Sequence, residues 1–261
     1  MPDTLHRVLI IGAGSIGERH LRCFQKTGRC DVALVEINGD LRRTVAERYG
    51  LKAAFASLDE ALQHSHDAAV IATPAPWHVP MAVQLAETGI HLLIEKPLST
   101  SLDGVDRLLE TVQRTGITAG MAYVLRHHPL IRSLRQAVQS GLIGTPVELV
   151  AVTGQNFPTY RPAYRTIYYR DRATGGGAIQ DALTHVINAG EWLIGPITRL
   201  VADAAHQVLE GVEVEDTVHV LARHSGIPAS YCLNQHQAPN EFTLSIIGER
   251  GVARCELHAS R

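Results

Sequence analysis

At 261 residues, with a formal net charge of −2 and 45% hydrophobic residues, the chain is sized for two domains of roughly 120 and 140 residues, each able to hold a core. The charge supplies no basic field for nucleic acid, and no apolar run reaches the roughly 18 residues of a membrane span. Four dispersed cysteines (Cys23, Cys30, Cys232, Cys255) match neither a zinc spacing nor a disulfide scaffold, and the histidines, His64-x-His66 and His127-His128 included, lack companion ligands at metal spacing, so no metal is expected.

The amino terminus, Met-Pro-Asp-Thr-Leu-His-Arg, runs into a strand without signal-peptide architecture, so a cytoplasmic protein with reduced thiols is expected. That strand, Arg7-Val-Leu-Ile-Ile11, leads into Gly12-Ala13-Gly14-Ser15-Ile16-Gly17 and then a helix-forming segment. A glycine pattern alone is weak, but strand before and helix after is the context in which it binds a pyrophosphate. Gly12 permits the tight turn, Gly14 the close approach of backbone to phosphate, and Gly17 the contact of helix with strand, with the helix N-terminus facing the phosphates. A second strand, Asp31 to Val35, ends in Glu36, where a carboxylate accepts from both adenosine ribose hydroxyls and repels a 2′-phosphate. NAD is therefore expected over NADP, a preference that Arg42 and Arg43 soften.

The alternation continues. Gly50 closes a helix from about Asp40, and Ser57-Leu-Asp-Glu60 is a capping box. Strand Asp67–Ala72 precedes Thr73-Pro74-Ala-Pro76-Trp77-His78, and helix Pro80–Thr88 stops at Gly89. The run His91-Leu-Leu-Ile-Glu95-Lys96-Pro97 reads as a buried strand that ends abruptly in charge. Lys96 is one of three lysines against twenty-one arginines. An ammonium there lies either in the crevice where open α/β sheets bind ligands or merely on the surface at a strand end. A helix from about Asp103 to Thr115 and a strand from Ile117 to Ala122 complete a parallel, doubly covered sheet over residues 1–122, the expected cofactor domain.

From Tyr123 the pattern changes, and residues 123–261 are read as an α+β domain for substrate binding and oligomerisation. Segments Thr145–Thr153, Asp216–Ala222, Ala229–Gln235 and Glu241–Ile247 read as exposed antiparallel strands. One helix interrupts them, opening on Gly175-Gly176-Gly177 and carrying Asp181 and His185 four residues apart, on one face. A carboxylate beside an imidazole makes a base that works near neutral pH, or an ordinary surface ion pair.

Taken together, Gly12–Gly17, Thr73-Pro74 with His78, Glu95-Lys96-Pro97, and the glycine triplet with Asp181 and His185 resemble, in this order, the glucose–fructose oxidoreductase, inositol dehydrogenase and rhizopine-catabolism family (Gfo/Idh/MocA). The likeness covers nearly the whole chain, with further similar stretches at Arg126-His-His-Pro129, Ser140-Gly-Leu-Ile-Gly144 and Ile247-Gly-Glu-Arg-Gly251. It implies a Rossmann domain followed by a largely antiparallel open-sheet domain, carboxy-terminally short for the family. It also implies hydride transfer from a secondary alcohol of a sugar, sugar derivative or cyclitol to nicotinamide. In that reading His185 is the base, Asp181 its orienting partner and Lys96 the cation for developing oxyanion charge. Glu95 lies against the nicotinamide or its ribose, Thr73, Pro74 and His78 shape that side, and the Lys96–Pro97 peptide is cis. Tyr123, Arg126, His127, Asn156, Tyr160 and Arg170 are the expected substrate contacts, and a homodimer or homotetramer through the second-domain sheet is expected. Two alternatives stand beside it: a ligand sensor that binds NAD(P) without turnover, and a glycosidase that uses NAD transiently through a 3-keto intermediate.

Overall fold

The computed structural model describes residues 5–257, so Met1–Thr4, on which part of the amino-terminal reading rests, lie outside the described residues. The chain divides into two compact units, Met1–Ala122 and Tyr123–Arg261. In the first, β1 (His6–Ile11), α1 (Ser15–Lys26), β2 (Cys30–Val35), α2 (Gly39–Tyr49), β3 (Ala54–Phe55), α3 (Leu58–Ala61), β4 (Ala68–Ile71), α4 (His78–Glu87), β5 (His91–Ile94), α5 (Val105–Thr115) and β6 (Ala119–Met121) follow one another. All six strands are parallel, in the order β3-β2-β1-β4-β5-β6. Chain order reverses at β1 and β4, which makes that junction the topological switch point where such sheets bind ligands.

The apolar runs form this sheet because alternate residues feed two cores. Leu9, Ile11, Ala33, Val35 and Ile71 pack with Val79, Ala82 and Leu85 of α4. Val8, Ile10, Val32, Leu34 and Val70 pack with Leu21 of α1 and Val45 of α2. Local signals set the boundaries. Gly50 ends α2 in the left-handed region at φ 60°. Ser57 caps α3 by accepting from the Glu60 amide at 3.1 Å, while the Glu60 carboxylate accepts from the Ala56 amide at 2.8 Å.

The second unit contains α6 (Pro129–Gln139), β7 (Pro146–Gly154), α7 (Phe157–Tyr160), α8 (Thr184–Ile194), β8 (Ile197–Ala205), β9 (Thr217–His224), β10 (Ile227–Asn234), β11 (Glu241–Gly248) and β12 (Gly251–Glu256). Its sheet runs β12-β11-β7-β10-β9-β8 and is antiparallel except for the parallel pair β7–β10. Sequence alone missed that parallel pair, both edge strands and α6. In β8 the seven residues from Thr198 to Ala204 are all exposed, so it carries no half-buried alternation to read. By contrast β9 alternates buried and exposed from Val218 to His224. Its inward residues Val218, Val220 and Ala222 share a core with Tyr231, Leu233 and Leu244, and with Val186, Ala189 and Leu193 of α8. Gly190 lets α8 lie close, since a Cβ there would sit 2.0 Å from the Tyr231 hydroxyl. No helix among the described residues is long and apolar enough to cross a membrane.

Candidate dinucleotide and catalytic residues

The turn after β1 is shaped by sterics. Gly12 adopts φ +95°, and a Cβ on it would lie 2.7 Å from the Ala72 carbonyl oxygen. A Cβ on Gly17 would lie 1.9 Å from the Gly12 carbonyl oxygen. Gly14, which caps α1, has nothing within 4 Å of a Cβ position. Its place therefore opens outward at the helix N-terminus, with exposed Ser15 and Ile16 beginning the first turn. Two glycines are thus required by the protein's own backbone, and one leaves room for something outside it. This is the cradle a pyrophosphate needs.

Glu36 follows β2 directly, and its carboxylate accepts from the Ala13 amide at 2.8 Å and the Asn38 amide at 2.9 Å. One bond ties the acid to the fingerprint turn, 23 residues earlier, so both features belong to one site. The two nearby arginines are occupied: Arg42 donates to the Glu36 carbonyl at 2.6 Å, and Arg43 pairs with Asp40 at 2.6 Å.

On the other side of the switch point, β4 ends before Thr73 and exposed Pro74, and β5 ends before Glu95 and Lys96. The Lys96–Pro97 peptide is cis, as expected, and Ala238–Pro239 is a second cis bond that sequence did not anticipate. His78 is turned inward, 1% exposed, with Nδ1 at 2.8 Å from the Pro97 carbonyl and Nε2 at 2.7 Å from that of Thr73. Its ring therefore ties the β4 loop to the β5 loop, shaping this side through the backbone.

Glu95 is 7% exposed, and its Oε1 lies 2.7 Å from Nε2 of His20 on α1. The Lys96 amide donates to its other oxygen at 3.2 Å. Burial pushes this carboxyl up, but the His20 bond and charge together with the Lys96 amide and charge outweigh it and hold it below its ordinary value. His20 was not singled out from sequence, although it lies one helical turn beyond Gly17, where such a turn meets the sheet edge. A lowered carboxyl pKa stabilises the fold above the unfolded value of about 4.3 and loses that contribution as pH falls through the folded one. In His20→Ala that bond and charge are lost, burial is opposed by the Lys96 amide and charge without His20, and the folded pKa rises. The variant should lose about 1–3 kcal/mol at pH 7 and recover much of it towards pH 4. Thermal denaturation at both pH values checks this, and an equal deficit at each would contradict it.

In the second unit two glycines of the triplet sit where a Cβ would clash. A Cβ on Gly176 would meet the Tyr169 carbonyl oxygen at 2.2 Å, and one on Gly177 would meet the Glu215 carboxylate at 2.5 Å. Glu215, 3% exposed, accepts from the Ile179 amide at 3.1 Å and from Arg172, anchoring the helix start. The first turn, Ile179–Leu183, is π-helical and contains Asp181; His185 follows in α8. Asp181 is 4% exposed, receiving Arg161 Nη1 on Oδ2 at 2.7 Å and the Tyr168 hydroxyl on Oδ1 at 2.5 Å. Sequence did not single out either donor, because both lie in an irregular Tyr- and Arg-rich loop with no period to read.

Of the six expected substrate contacts, two gather on α8. The Tyr123 ring meets His185 edge-on with centroids 5.9 Å apart, and its hydroxyl lies 3.1 Å from Thr184 Oγ1. Arg126 donates to Asn188 Oδ1 at 2.7 Å, one turn further along. Asn156 is occupied locally: its carbonyl caps α7 through the Thr159 amide, and its NH2 donates to the His236 carbonyl. His127, Tyr160 and Arg170 are exposed and not drawn into this cluster. No group of three His, Cys, Asp or Glu among the described residues is placed to hold a metal ion.

A glycine cradle at the switch point, an acid tied to it and a parallel sheet in this strand order define a dinucleotide-binding Rossmann domain. The chain belongs to the Gfo/Idh/MocA family: residues 6–123 match the profile described as "Oxidoreductase family, NAD-binding Rossmann fold", and residues 131–254 match its "GFO/IDH/MocA C-terminal domain". Among similar proteins, the inositol 2-dehydrogenase/D-chiro-inositol 3-dehydrogenase of Shouchella clausii is 29% identical over 193 residues, which is 72% of this chain and 53% of that protein. The rhizopine catabolism protein MocA of Rhizobium meliloti is 27% identical over 192 residues, covering 74% and 58%. The chain thus spans a little over half the length of these relatives. The WlbA dehydrogenase of Bordetella pertussis, solved with NADH and UDP-GlcNAcA, has the same fold, with TM-score 0.88 at 24% identity over 98% of this chain and 75% of that one.

Proposed function

We propose that this protein is an NAD-dependent dehydrogenase that oxidises a secondary alcohol of a sugar, sugar derivative or cyclitol. The observation that carries the reading is Lys96, half-buried at the carboxyl end of β5 on the same sheet edge as the glycine cradle. Such a position suits a cation acting on the reacting group, whereas a lysine serving solubility needs no such mounting.

NAD, when bound, accepts the hydride from the carbinol carbon. Gly12, Gly14, Gly17 and the start of α1 hold the pyrophosphate, and Glu36 accepts from the adenosine ribose hydroxyls. The Glu36 carboxylate repels a 2′-phosphate, and the engagement of Arg42 and Arg43 with Glu36 and Asp40 supports NAD over NADP. As the C–H bond breaks, the hydroxyl becomes strongly acidic. His185 takes its proton, Asp181 orients that imidazole, and the Lys96 ammonium stabilises the negative charge developing on oxygen. Tyr123 and Arg126, bonded to α8 either side of His185, contact the sugar hydroxyls. The second-unit sheet pairs with another copy through its open face, where Val201 and Leu221 are neighbours in register and 63% and 68% exposed.

The names of the relatives, inositol dehydrogenases and a levoglucosan dehydrogenase among them, favour a ring alcohol. Incubation with NAD and a panel of cyclitols, hexoses, uronates and nucleotide sugars tests the reading. NADH accumulating with one class is the expected result. Sugar release without NADH would instead indicate the glycosidase, and binding without either a sensor.

A further inference from the structure

We infer that Arg161 and Tyr168 are positioning residues for Asp181, holding its carboxylate ionised and in one orientation at the root of the helix that carries His185. The kinetic consequence rests on the proposed dehydrogenase reading; the electrostatic one does not.

A carboxylate only 4% exposed must be compensated, because an isolated charge away from water is very costly. Here each oxygen receives its own donor: Arg161 Nη1 on Oδ2 at 2.7 Å, and the Tyr168 hydroxyl on Oδ1 at 2.5 Å. Arg161 Nη2 also donates to the Tyr168 oxygen at 3.3 Å, closing a three-membered ring of contacts. Two donors on different oxygens fix the rotation of the carboxylate, yet leave about two of its four lone-pair sites for another partner. Tyr168 is 40% exposed, so burial acts on it only in part; with the Asp181 charge it raises the pKa of the hydroxyl, which stays protonated and acts as a donor. Burial opposes the charge on Arg161, but Asp181 and Tyr168 together outweigh it and hold its pKa above the ordinary value.

The clamp is built on a rigid support. The Arg161 guanidinium lies 4.7 Å over the Phe157 ring. Phe157, Tyr164 and Tyr169 are almost wholly buried together, with ring centroids 5.1–6.3 Å apart. The Tyr164 hydroxyl donates to the Glu210 carbonyl at 2.9 Å. Backbone contact at Gly176 joins this loop to the start of the helix. An irregular loop with its own aromatic core is more than a cover; here it delivers two donors to one carboxylate. The ionisable groups around Asp181 include Arg161, Tyr168 and Tyr169 from the loop, with His185 four residues on in sequence and the Glu215–Arg172 pair at the helix start.

The test is a carbon NMR titration of the Asp181 carboxyl in the full chain, assigned with Asp181→Asn, for wild type, Arg161→Met, Arg161→Lys and Tyr168→Phe. Arg161→Met is expected to raise the midpoint by about 1–2 pH units, and Arg161→Lys to restore most of it. Tyr168→Phe, which keeps the ring and its packing, is expected to give a smaller rise and also decides the matter if Arg161→Met fails to fold. With a turned-over substrate, kcat should fall in Tyr168→Phe while NADH affinity holds. An Asp181 midpoint unmoved in the folded variants would overturn the inference. Absence of alcohol oxidation in the wild type would sink the dehydrogenase reading, and the titration would still decide the clamp.

Discussion

Gly17→Ala is expected to abolish measurable NADH binding. The added methyl would sit 1.9 Å from the Gly12 carbonyl oxygen, 2.9 Å from its carbon and 3.5 Å from the Ala72 side chain. The first two neighbours are backbone, and Gly12 is itself fixed by φ +95° and its approach to Ala72. The start of α1 must therefore move away from the β1 turn. Overpacking of this kind costs about 1–3 kcal/mol of stability or more. The shift also withdraws the amides that face a pyrophosphate, and a hundredfold loss of affinity corresponds to only about 2.7 kcal/mol. Gly14→Ala is the matched control. Its Cβ meets nothing in the protein, and its backbone, at φ −62°, is ordinary for any residue. The melting temperature should hold while NADH binding weakens, because that methyl enters the space proposed for the pyrophosphate. Calorimetry and thermal denaturation on both variants check the contrast. Full NADH affinity in Gly17→Ala would contradict the site.

The second large effect concerns turnover. Lys96→Ala and His185→Ala should each lower kcat by about 10²–10⁴, the range for removing a general base or an oxyanion-stabilising group. NADH affinity should stay within about threefold, since the proposed contacts to pyrophosphate and adenosine ribose come from Gly12–Gly17 and Glu36. The two losses should not multiply in the double variant, because in the proposed mechanism base and cation serve the same step. Steady-state kinetics on any accepted alcohol makes the measurement. Unchanged turnover in Lys96→Ala would remove that residue from the mechanism.

How much of this was legible beforehand depended on whether the cause was local. The glycine pattern could be read because each glycine answers a demand of nearby backbone: a positive φ at Gly12, a helix–turn contact at Gly17, an opening at Gly14. Lys96 could be read because an apolar strand running into Glu-Lys-Pro is unusual along one dimension. Contacts between distant, irregular segments could not. His20 and Glu95 are 75 residues apart, and Arg161 and Asp181 are 20 apart through a loop with no hydrophobic period. Asn156 shows the opposite hazard: a polar residue before a short helix was expected to contact substrate, and its side chain instead caps α7. Residues 197–205 lacked the alternation of a half-buried strand because β8 lies at an exposed sheet edge. His78 stood in a legible motif, but only the structure reveals that both ring nitrogens face carbonyls and join two loops.

The central claim is that the first unit of this chain takes NAD in the cradle at its switch point, and titration calorimetry with NADH and NADPH tests it most directly. The account predicts saturable one-to-one binding of NADH, with NADPH weaker by about tenfold or more, roughly 1.4 kcal/mol, because Glu36 opposes a 2′-phosphate. Equal affinity would contradict the assigned role of Glu36. Heat from neither nucleotide would contradict the cradle itself.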